Sequence, residues 1–355
     1  MDLLQEITGL SHEFGTSDYV KGGGGNTSAK NADTLWVKPS GTRLSELSPQ
    51  TFVAMDRTKL AKLYQVEMPA NATGREALVK DMMAAAVKPG QKARASVEAP
   101  LHDLLNRAFV VHTHAVLVNG MTCSRNGAAV CARLFPEALW VPYIDPGFTL
   151  CMDVHRRVGE HVKSHGQQPA LLILENHGIF VAGNTAGEIR STYKRVMDAL
   201  RAEYKKAKVA TELRITRPKQ AEDAESVRQT LRSLLGEEAA FIVGGDAFDV
   251  APGPISPDHS VYAKSYPYDG QLTREGVEGF RNRRGYWPKV FVTVAGVFAA
   301  GNSQRKAELA LELARDGALV MQLAEAFGGI QFLTDAAREF IENWEVESYR
   351  QQQMK

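Results

Sequence analysis

The sequence predicts an α/β fold with two domains, and two observations carry this prediction. Short apolar runs of strand length alternate with amphipathic segments that have helical spacing, which is the pattern of a layered α/β domain. The chain has 355 residues, enough for two or three domains of about 100 to 200 residues each. The basic stretch Lys205–Asp223, which contains Pro218, is the best linker. We therefore expect one domain over residues 1–214 and a second, smaller α/β domain over residues 215–355.

Composition and charge exclude several classes of partner. The 42 lysines and arginines nearly balance 41 aspartates and glutamates, which gives a formal net charge of +1. Nucleic acids and anionic membranes select proteins with a basic excess, so neither is an expected partner. No apolar run approaches the ~20 residues that cross a bilayer, and the N-terminal segment lacks the pattern of a secretory signal. The three cysteines have no Cys-x-x-Cys spacing, as expected for reduced thiols in a cytoplasmic protein.

The elements of the first 114 residues follow from periodicity and turn residues. Leu3–Phe14 predicts a helix, and the glycine loop Gly22–Gly25 follows it. Leu35–Val37 predicts a short strand. Ala95–Ala108 predicts a helix with a proline in its early part. Phe109–His114 is then a strand because apolar, β-branched residues dominate it.

The next elements surround a short polar turn. Leu171–Leu174 is wholly apolar and predicts a strand buried on both faces. A turn at 175–178 leads into a second strand, Ile179–Ala182. Thr185 is placed to cap a long helix over Ala186–Lys208.

One sequence pattern occurs twice. Gly178–Thr185 reads GIFVAGNT and Gly296–Ser303 reads GVFAAGNS, an offset of 118 residues (296 − 178). Convergence on a common strand, turn and capped helix explains the pattern, and so does a degenerate duplication. In the second copy Ala295 stands where the first has His177, so we expect no metal site in the C-terminal domain.

Three histidines form a candidate metal site. His112 and His114 lie two residues apart on a strand, so both imidazoles leave the same face. His177 ends an apolar strand beside Gly178, where the backbone can turn sharply. Three protein ligands leave one open position at a catalytic zinc ion, so the pattern predicts a site for Zn²⁺ or another divalent metal.

Glu98 and His102 lie one turn apart at the start of a predicted helix, and three interpretations stay open. As a pair at i and i+4 they could hold the metal themselves, with the strand histidines supporting them. Alternatively, Glu98 transfers protons while His102 orients it. A purely structural role also fits, because the helix dipole favours a carboxylate at this end.

Two glycine-containing segments are candidates for anion binding. The loop 22–28 and the turn Lys38–Thr42 supply backbone N–H groups that side chains do not obstruct. Together with Ser96 near a helix start, they can surround a dianion such as a phosphate group.

As an ordered set, these motifs resemble the class II aldolase and adducin family. The matching segments are GNTS at 25–28, KPSG at 38–41, SVEAPLH at 96–102, HTH at 112–114 and NHG at 176–178. The resemblance covers residues 1 to about 210. Within the family, the chain is most similar to the aldolase part of rhamnulose-1-phosphate aldolase and short-chain dehydrogenase fusions, which it also resembles around Ser256–His259 and Asn343–Trp344. The dehydrogenase motif Gly-x-Gly-x-x-Gly does not follow a strand near the C-terminus, so we expect that half to be absent.

The resemblance implies a fold and a set of roles. The fold would be a three-layer α/β/α domain, with Glu98 as the catalytic acid/base. The zinc ligands would be His112, His114 and His177. The substrate phosphate would be held by residues that match the family's phosphate site, namely Asn26, Ser40, Gly41 and Ser96.

The resemblance also implies an activity. We expect a zinc-dependent aldolase that cleaves a ketose 1-phosphate, or a related sugar, between C3 and C4 through a metal-stabilised enediolate. By the same resemblance the protein would be a cytoplasmic homo-oligomer, a tetramer, whose second acid/base is a tyrosine that can come from a neighbouring subunit. Val97 replaces a second serine of the fuculose phosphate aldolases and removes a hydroxyl donor, which leaves open whether the substrate is phosphorylated.

Alternatives within the family are a sugar-phosphate 4-epimerase and a sugar-acid phosphate decarboxylase. The epimerases tend to carry Asp at the position of Glu98, which favours the aldolase. A non-enzymatic adducin-like interaction module is disfavoured, because such a module does not need the metal ligands and this chain has all three histidines.

Overall fold

Strands and helices alternate along the computed structural model, which describes residues 2–69 and 71–344. The chain folds into two compact units. Unit 1 holds residues up to Val118 and Ala128–Leu200, whereas unit 2 holds Asn119–Gly127 and residues from Arg201 onward. The domain boundary near residue 215 stays a prediction.

The first 207 residues contain the elements that form unit 1, with helices α5 and α8 continuing into unit 2. In chain order they are α1 (Leu3–Glu13), β1 (Asn26–Lys30), β2 (Thr34–Val37), β3 (Val53–Asp56), α2 (Arg57–Ala61), α3 (Ala72–Ala86), α4 (Ala99–Leu104), β4 (Phe109–Thr113), α5 (Val116–Thr122), α6 (Gly127–Leu134), β5 (Leu139–Val141), α7 (Phe148–His165), β6 (Leu171–Leu174), β7 (Gly178–Gly183) and α8 (Ala186–Ala207).

Unit 1 is built on a seven-stranded sheet with the order β3-β2-β1-β4-β7-β6-β5. Only β5 and β6 pair in parallel, and the other neighbours are antiparallel. Strands β1, β4, β6 and β7 are buried along their whole length, as expected when helices cover both faces of a sheet. The prediction of a layered α/β/α fold is confirmed.

Strand β1 was not predicted because its residues are mostly polar. Its side chains are nevertheless buried, since tertiary partners satisfy them. Thr27 Oγ1 lies 2.7 Å from Ser11 Oγ, and Lys30 Nζ donates to two backbone carbonyls at the end of α4. Burial lowers the pKa of Lys30 to about 7.

Helix α4 is shorter than the predicted helix Ala95–Ala108. It begins at Ala99 and has Pro100 in its first turn, where the missing N–H costs no hydrogen bond. Glu98 is the residue that flanks its N-terminus, and Leu105 ends it with an extended backbone. Residues 95–98 therefore form a loop, which gives Glu98 a position outside the helix.

Unit 2 adds a three-stranded sheet and its own helices. The elements after α8 are α9 (Ala224–Leu235), β8 (Phe241–Gly244), α10 (Pro257–Tyr262), α11 (Arg274–Arg284), β9 (Val290–Thr293), β10 (Gly296–Gly301), α12 (Gln304–Ala324) and α13 (Asp335–Asn343). The strand order is β8-β10-β9, with antiparallel pairs. Phe280, Phe291 and Phe298 lie in the apolar core beside this sheet. The prediction of a second α/β region is confirmed.

The segment Asn119–Gly127 belongs to unit 2 although the residues on both sides belong to unit 1. The backbone N–H of Gln331 donates to the carbonyl of Cys123 at 2.7 Å, and that of Arg125 donates to Gly329 at 3.0 Å. Cys123 is fully buried. This segment is thus an integral part of the unit 2 fold.

In the part of the chain that the structure describes, no helix combines length and apolarity to the degree that crossing a membrane requires.

Candidate metal centre

Strand pairing brings the three candidate histidines together where the end of β4 meets the start of β7. His112 lies near the end of β4, and its register partner on β7 is Phe180. His114 follows the end of β4, and His177 directly precedes β7. Because β4 and β7 run antiparallel, the end of one strand lies beside the start of the other.

The side chains of these histidines converge. The Nε2 atoms of His112 and His114 are 2.9 Å apart, and the ligand atoms of all three histidines lie within 4.8 Å of one another. Ring centroids are 4.7–5.1 Å apart. Over residues 2–69 and 71–344, no other group of three His, Cys, Asp or Glu side chains converges in this way.

His112 is held in the form that binds a metal. Its Nδ1 donates to the carbonyl of Ile179 at 2.9 Å, so Nε2 carries the lone pair. Complete burial holds the pKa of His112 well below its usual value. Phe180 stacks on the imidazole, with 3.9 Å between centroids and 12° between planes.

Glycine is required at two positions beside these histidines. A Cβ at Gly178 would lie 2.3 Å from the carbonyl oxygen of Thr113 and 3.0 Å from Cδ2 of His114. Gly25 has φ +63°, and a Cβ there would lie 2.7 Å from the carbonyl oxygen of His112. Both loops approach the end of β4 more closely than any side chain permits.

Glu98 lies against the same cluster. Its Oε2 is 3.5 Å from His112 Nε2, and its Oε1 is 3.6 Å from His177 Nε2. Burial acts to raise the pKa of Glu98, but the neighbouring imidazoles and a hydrogen bond from Asn26 outweigh it and hold this pKa well below its usual range. Glu98 is therefore an ionised, buried carboxylate.

These residues fit a divalent cation. Three imidazoles are the donor set of many catalytic zinc sites, and His112 has the tautomer that such a site needs. Oε1 of Glu98 is buried and accepts no hydrogen bond from any described residue, although a buried carboxylate oxygen normally has a partner. A cation, or a proton in transit, would satisfy this oxygen.

Asn26 connects Glu98 to His102. Its Nδ2 donates to Glu98 Oε2 at 2.6 Å, so its Oδ1 must accept the hydrogen bond from Nε2 of His102. Nδ1 of His102 then accepts from Ser28 Oγ at 2.8 Å. Burial lowers the pKa of His102 to about 3, so the ring is neutral. Both ring nitrogens of His102 are engaged, and Asn26 links the ring to the Glu98 carboxylate.

The predicted anion-binding segments lie next to each other. The N–H of Ser96 donates to the carbonyl of Lys38 at 3.0 Å, and Pro39 pairs with Ala95. Gly41 has φ +84°, which a glycine adopts without strain. The hydroxyl of Ser96 accepts from the N–H of Glu98 at 3.3 Å.

The sequence reasoning gave the side chains of Lys38, Ser28 and Phe180 no role. Lys38 is 1% exposed, and its ammonium donates to the carbonyls of Gly23 and Thr42 at 2.7 Å each. It therefore ties the glycine loop to the KPSG turn. The available signal was a lysine directly after an apolar strand, where a charged side chain needs buried partners.

The fold and the site define a layered α/β protein with a three-histidine candidate cation site beside a carboxylate. The model of the class II aldolase and adducin N-terminal domain family matches residues 5–204. The chain belongs to this family, and the resemblance of the motifs is confirmed.

Individual relatives are more distant. The uncharacterized oxidoreductase YuxG of Bacillus subtilis (strain 168) is 22% identical over 98% of this chain and 58% of its own length. This chain thus spans a little over half of that relative. The N-terminal class II aldolase domain of a conserved protein from Thermoplasma acidophilum is 25% identical, with a TM-score of 0.48 over 57% of this chain and 93% of that one. L-fuculose-1-phosphate aldolase from Thermus thermophilus is 14% identical, with a TM-score of 0.37 over 57% and 95%.

Proposed function

We propose that the protein is a zinc-dependent aldolase that cleaves a ketose 1-phosphate, or a related sugar, between C3 and C4. The observation that supports this most strongly is the position of the buried Glu98 carboxylate. It lies 3.5–3.6 Å from two of three converging imidazoles and has one oxygen without a hydrogen-bond partner among the described residues. Membership of the class II aldolase and adducin family supports the same activity.

A divalent cation would be held by His112, His114 and His177. When bound, it would supply positive charge that offsets the negative charge left on the three-carbon fragment when the C3–C4 bond breaks. The backbone carbonyl of Ile179 and the ring of Phe180 hold His112 in the orientation this binding needs.

Glu98 would transfer the proton at C3. In the direction of bond formation, its ionised carboxylate takes the proton from C3 of the three-carbon fragment. In cleavage, it returns a proton to C3 while the C4 hydroxyl loses one to a second group, a tyrosine by family resemblance. Asn26 keeps Oε2 of Glu98 occupied, which leaves Oε1 for the proton.

The substrate phosphate, where present, would lie against Ser40, Gly41, Ser96 and Asn26. Lys38 fixes the turn that contains Ser40 and Gly41 relative to the glycine loop. This geometry is set before substrate binds, so little ordering is needed on binding. The side-chain amide of Asn26 already contacts Glu98 and His102, so its backbone would make the phosphate contact.

The test is an assay of zinc-loaded protein against a panel of ketose 1-phosphates and their unphosphorylated forms. Release of an aldehyde, with recovery of the three-carbon product, is the expected result. Epimerisation at C4 without net cleavage would show that the activity is that of a 4-epimerase and not an aldolase. Release of CO₂ from a sugar-acid phosphate would show a decarboxylase. Equal cleavage rates for phosphorylated and unphosphorylated substrates would contradict the proposed phosphate site.

We further propose that the active form is a cytoplasmic homo-oligomer, a tetramer, as in the family. Light scattering of the purified protein gives its mass. A monomer with full activity would exclude an acid/base group from a neighbouring subunit.

A further inference from the structure

Unit 2 contains a small cleft, open on one side. Most of its lining is apolar and comes from the loop Val250–Ile255 and from helix α12. Three polar side chains, His259, Lys264 and Ser265, interrupt this apolar surface. None of them has a role in the proposed aldolase.

His259 presents an unsatisfied donor in this cleft. The residue is 7% exposed, and its Nδ1 lies 2.7 Å from Ser256 Oγ. With Ser256 donating to Nδ1, Nε2 carries the ring proton. This nitrogen is buried and makes no hydrogen bond to any described residue, although Asp316 Oδ2 is 3.2 Å away. The backbone of Gly317 packs closely against the ring, since a Cβ there would lie 3.1 Å from Cδ2 of His259.

Lys264 brings a positive charge that no close carboxylate neutralises. Its backbone has φ +66°, a conformation that non-glycine residues rarely adopt. Its ammonium lies 5.0 Å from the centroid of the Tyr286 ring and forms no ion pair with the carboxylates that the structure describes. Glu342 acts on Lys264 only at longer range, because its two oxygens bind Arg338 and Ser265 at 2.7 and 2.8 Å.

The positive charge in this region is reinforced from β9. Lys289 precedes β9, donates to the carbonyl of Tyr262 at 3.2 Å, and is also without a close carboxylate among the described residues. Burial, then the charges of Lys264 and Lys306, lower the pKa of Lys289 to about 8. Partly buried ammonium groups that repel one another are stabilised when an anion binds next to them.

We propose that this cleft binds a small oxyanion, the phosphate or carboxylate group of a metabolite, with His259 Nε2–H and the Lys264 ammonium as its donors. The carboxylate of Asp316 lies beside the same nitrogen and opposes an anion. The attraction of the Lys264 and Lys289 ammonium groups must exceed the repulsion from Asp316. The site therefore selects an anion compact enough to contact Lys264 directly.

The first experiment is calorimetric titration of the full-length protein with inorganic phosphate and, separately, with acetate. We expect His259→Gln and Lys264→Gln to weaken one class of binding at least about tenfold, the loss expected for one charge-assisted hydrogen bond. Lys264→Arg should retain it. Lys219→Gln, which changes an exposed lysine of the same unit, should bind as the unaltered protein does.

Unit 1 has its own candidate phosphate site, so Ser40→Ala separates the two. Binding that persists in Ser40→Ala and is lost in Lys264→Gln belongs to the cleft, whether or not the protein is an aldolase. An unchanged phosphate and acetate stoichiometry in both His259→Gln and Lys264→Gln would overturn the proposal. Preference for phosphate over acetate would identify a phosphate ester as the ligand, and the reverse a carboxylate.

A local probe excludes indirect effects. In protein labelled with ¹⁵N-histidine, the His259 side-chain signal is identified by its loss in His259→Gln. This signal should shift in proportion to phosphate occupancy. A signal that does not move while phosphate binds would place the anion elsewhere and contradict the proposal.

Discussion

Two hairpins of this chain share a sequence pattern but differ in chemistry. In the β6–β7 hairpin, Leu174 pairs with Gly178 across a three-residue turn that carries His177. In the β9–β10 hairpin, Thr293 pairs with Gly296 across a two-residue turn that carries Ala295. The second strands and the helices after them keep the same spacing. The hairpins differ in the last residue of the turn, which is a candidate metal ligand in the first and a buried alanine in the second.

The far ends of these hairpins confirm that register. The N–H of Ala182 donates to Ala170, and that of Ala300 donates to Lys289, both at 2.8 Å. Lys289 therefore occupies the place of Ala170. The first hairpin has its candidate metal ligand in the turn, whereas the second has a lysine at the opposite end. The same hairpin backbone can therefore carry a functional side chain at its turn or at its open end. The shared sequence pattern alone does not show at which end it lies. A common origin of the two hairpins stays a prediction.

The largest expected effect tests whether the first hairpin belongs to a working site. Glu98→Gln keeps the shape of the side chain but removes proton transfer. We expect turnover to fall by roughly 10² to 10⁴, as is typical of general acid/base groups, with metal content and fold retained. Steady-state rates and metal analysis measure this, with Glu160→Gln on the exposed face of α7 as control. Unchanged turnover would exclude Glu98 as the acid/base.

The second prediction exchanges the two turn residues. His177→Ala gives the first turn the residue of the second, and we expect the bound ion to be lost, as in a His112→Ala, His114→Ala double variant. Ala295→His should gain no ion, because the described part of unit 2 offers no other ligands nearby. The buried histidine should lower the free energy of unfolding by about 1–3 kcal/mol through overpacking.

Metal analysis after dialysis decides this exchange. One ion per chain retained by His177→Ala, or gained by Ala295→His, would show that the turn residue is not what distinguishes the hairpins.

A smaller effect should separate the two matched phenylalanines. Phe180 and Phe298 occupy equivalent places on β7 and β10, and both are buried. We expect Phe180→Leu and Phe298→Leu to lower the free energy of unfolding by about 1–2 kcal/mol each, because each leaves a small cavity. Only Phe180→Leu should also weaken metal affinity, since only Phe180 stacks on a ligand ring. Denaturant unfolding and metal competition measure the two quantities, and equal metal affinities in the two variants would contradict the stacking role.

The smallest expected effect concerns Lys289 and pH. The pKa of Lys289 is lowered from 10.5 to about 8 in the folded protein, so between these values the unfolded chain binds the extra proton. This side chain therefore makes stability rise with pH across that interval, and its cost is fully present below pH 8. In Lys289→Met, the rise in the free energy of unfolding between pH 7 and 9.5 should be smaller by about 2 kcal/mol. Lys219→Met is the matched control, and equal pH dependence in all three proteins would contradict the shift.

The sequence predicted those elements whose apolar residues follow a period, such as β6 and α8. It did not predict β1, because Thr27 and Lys30 become buried only when partners distant in the chain satisfy them. The boundaries of α4 were too wide because the local pattern does not show that Glu98 turns away into a loop.

The candidate site, like the fold, could be predicted from the sequence only in part. The histidine spacing and His177-Gly178 were readable because they follow from strand geometry and from the space beside a glycine. The link from His102 through Asn26 to Glu98 was not, since it joins residues 76 and 72 positions apart. Such contacts depend on which strands become neighbours, and a local pattern carries no information on that.

The segment Asn119–Gly127 has a consequence for how this gene can be divided. A fragment that ends at residue 214 would retain this segment but lose Gln331 and Gly329, to which its backbone is bonded, and would expose the buried Cys123. The complementary fragment would lack an internal piece of its own fold. Recombination or expression of either half alone is therefore expected to yield poorly folded, aggregating material. The two units are therefore expected to be inherited together as one gene.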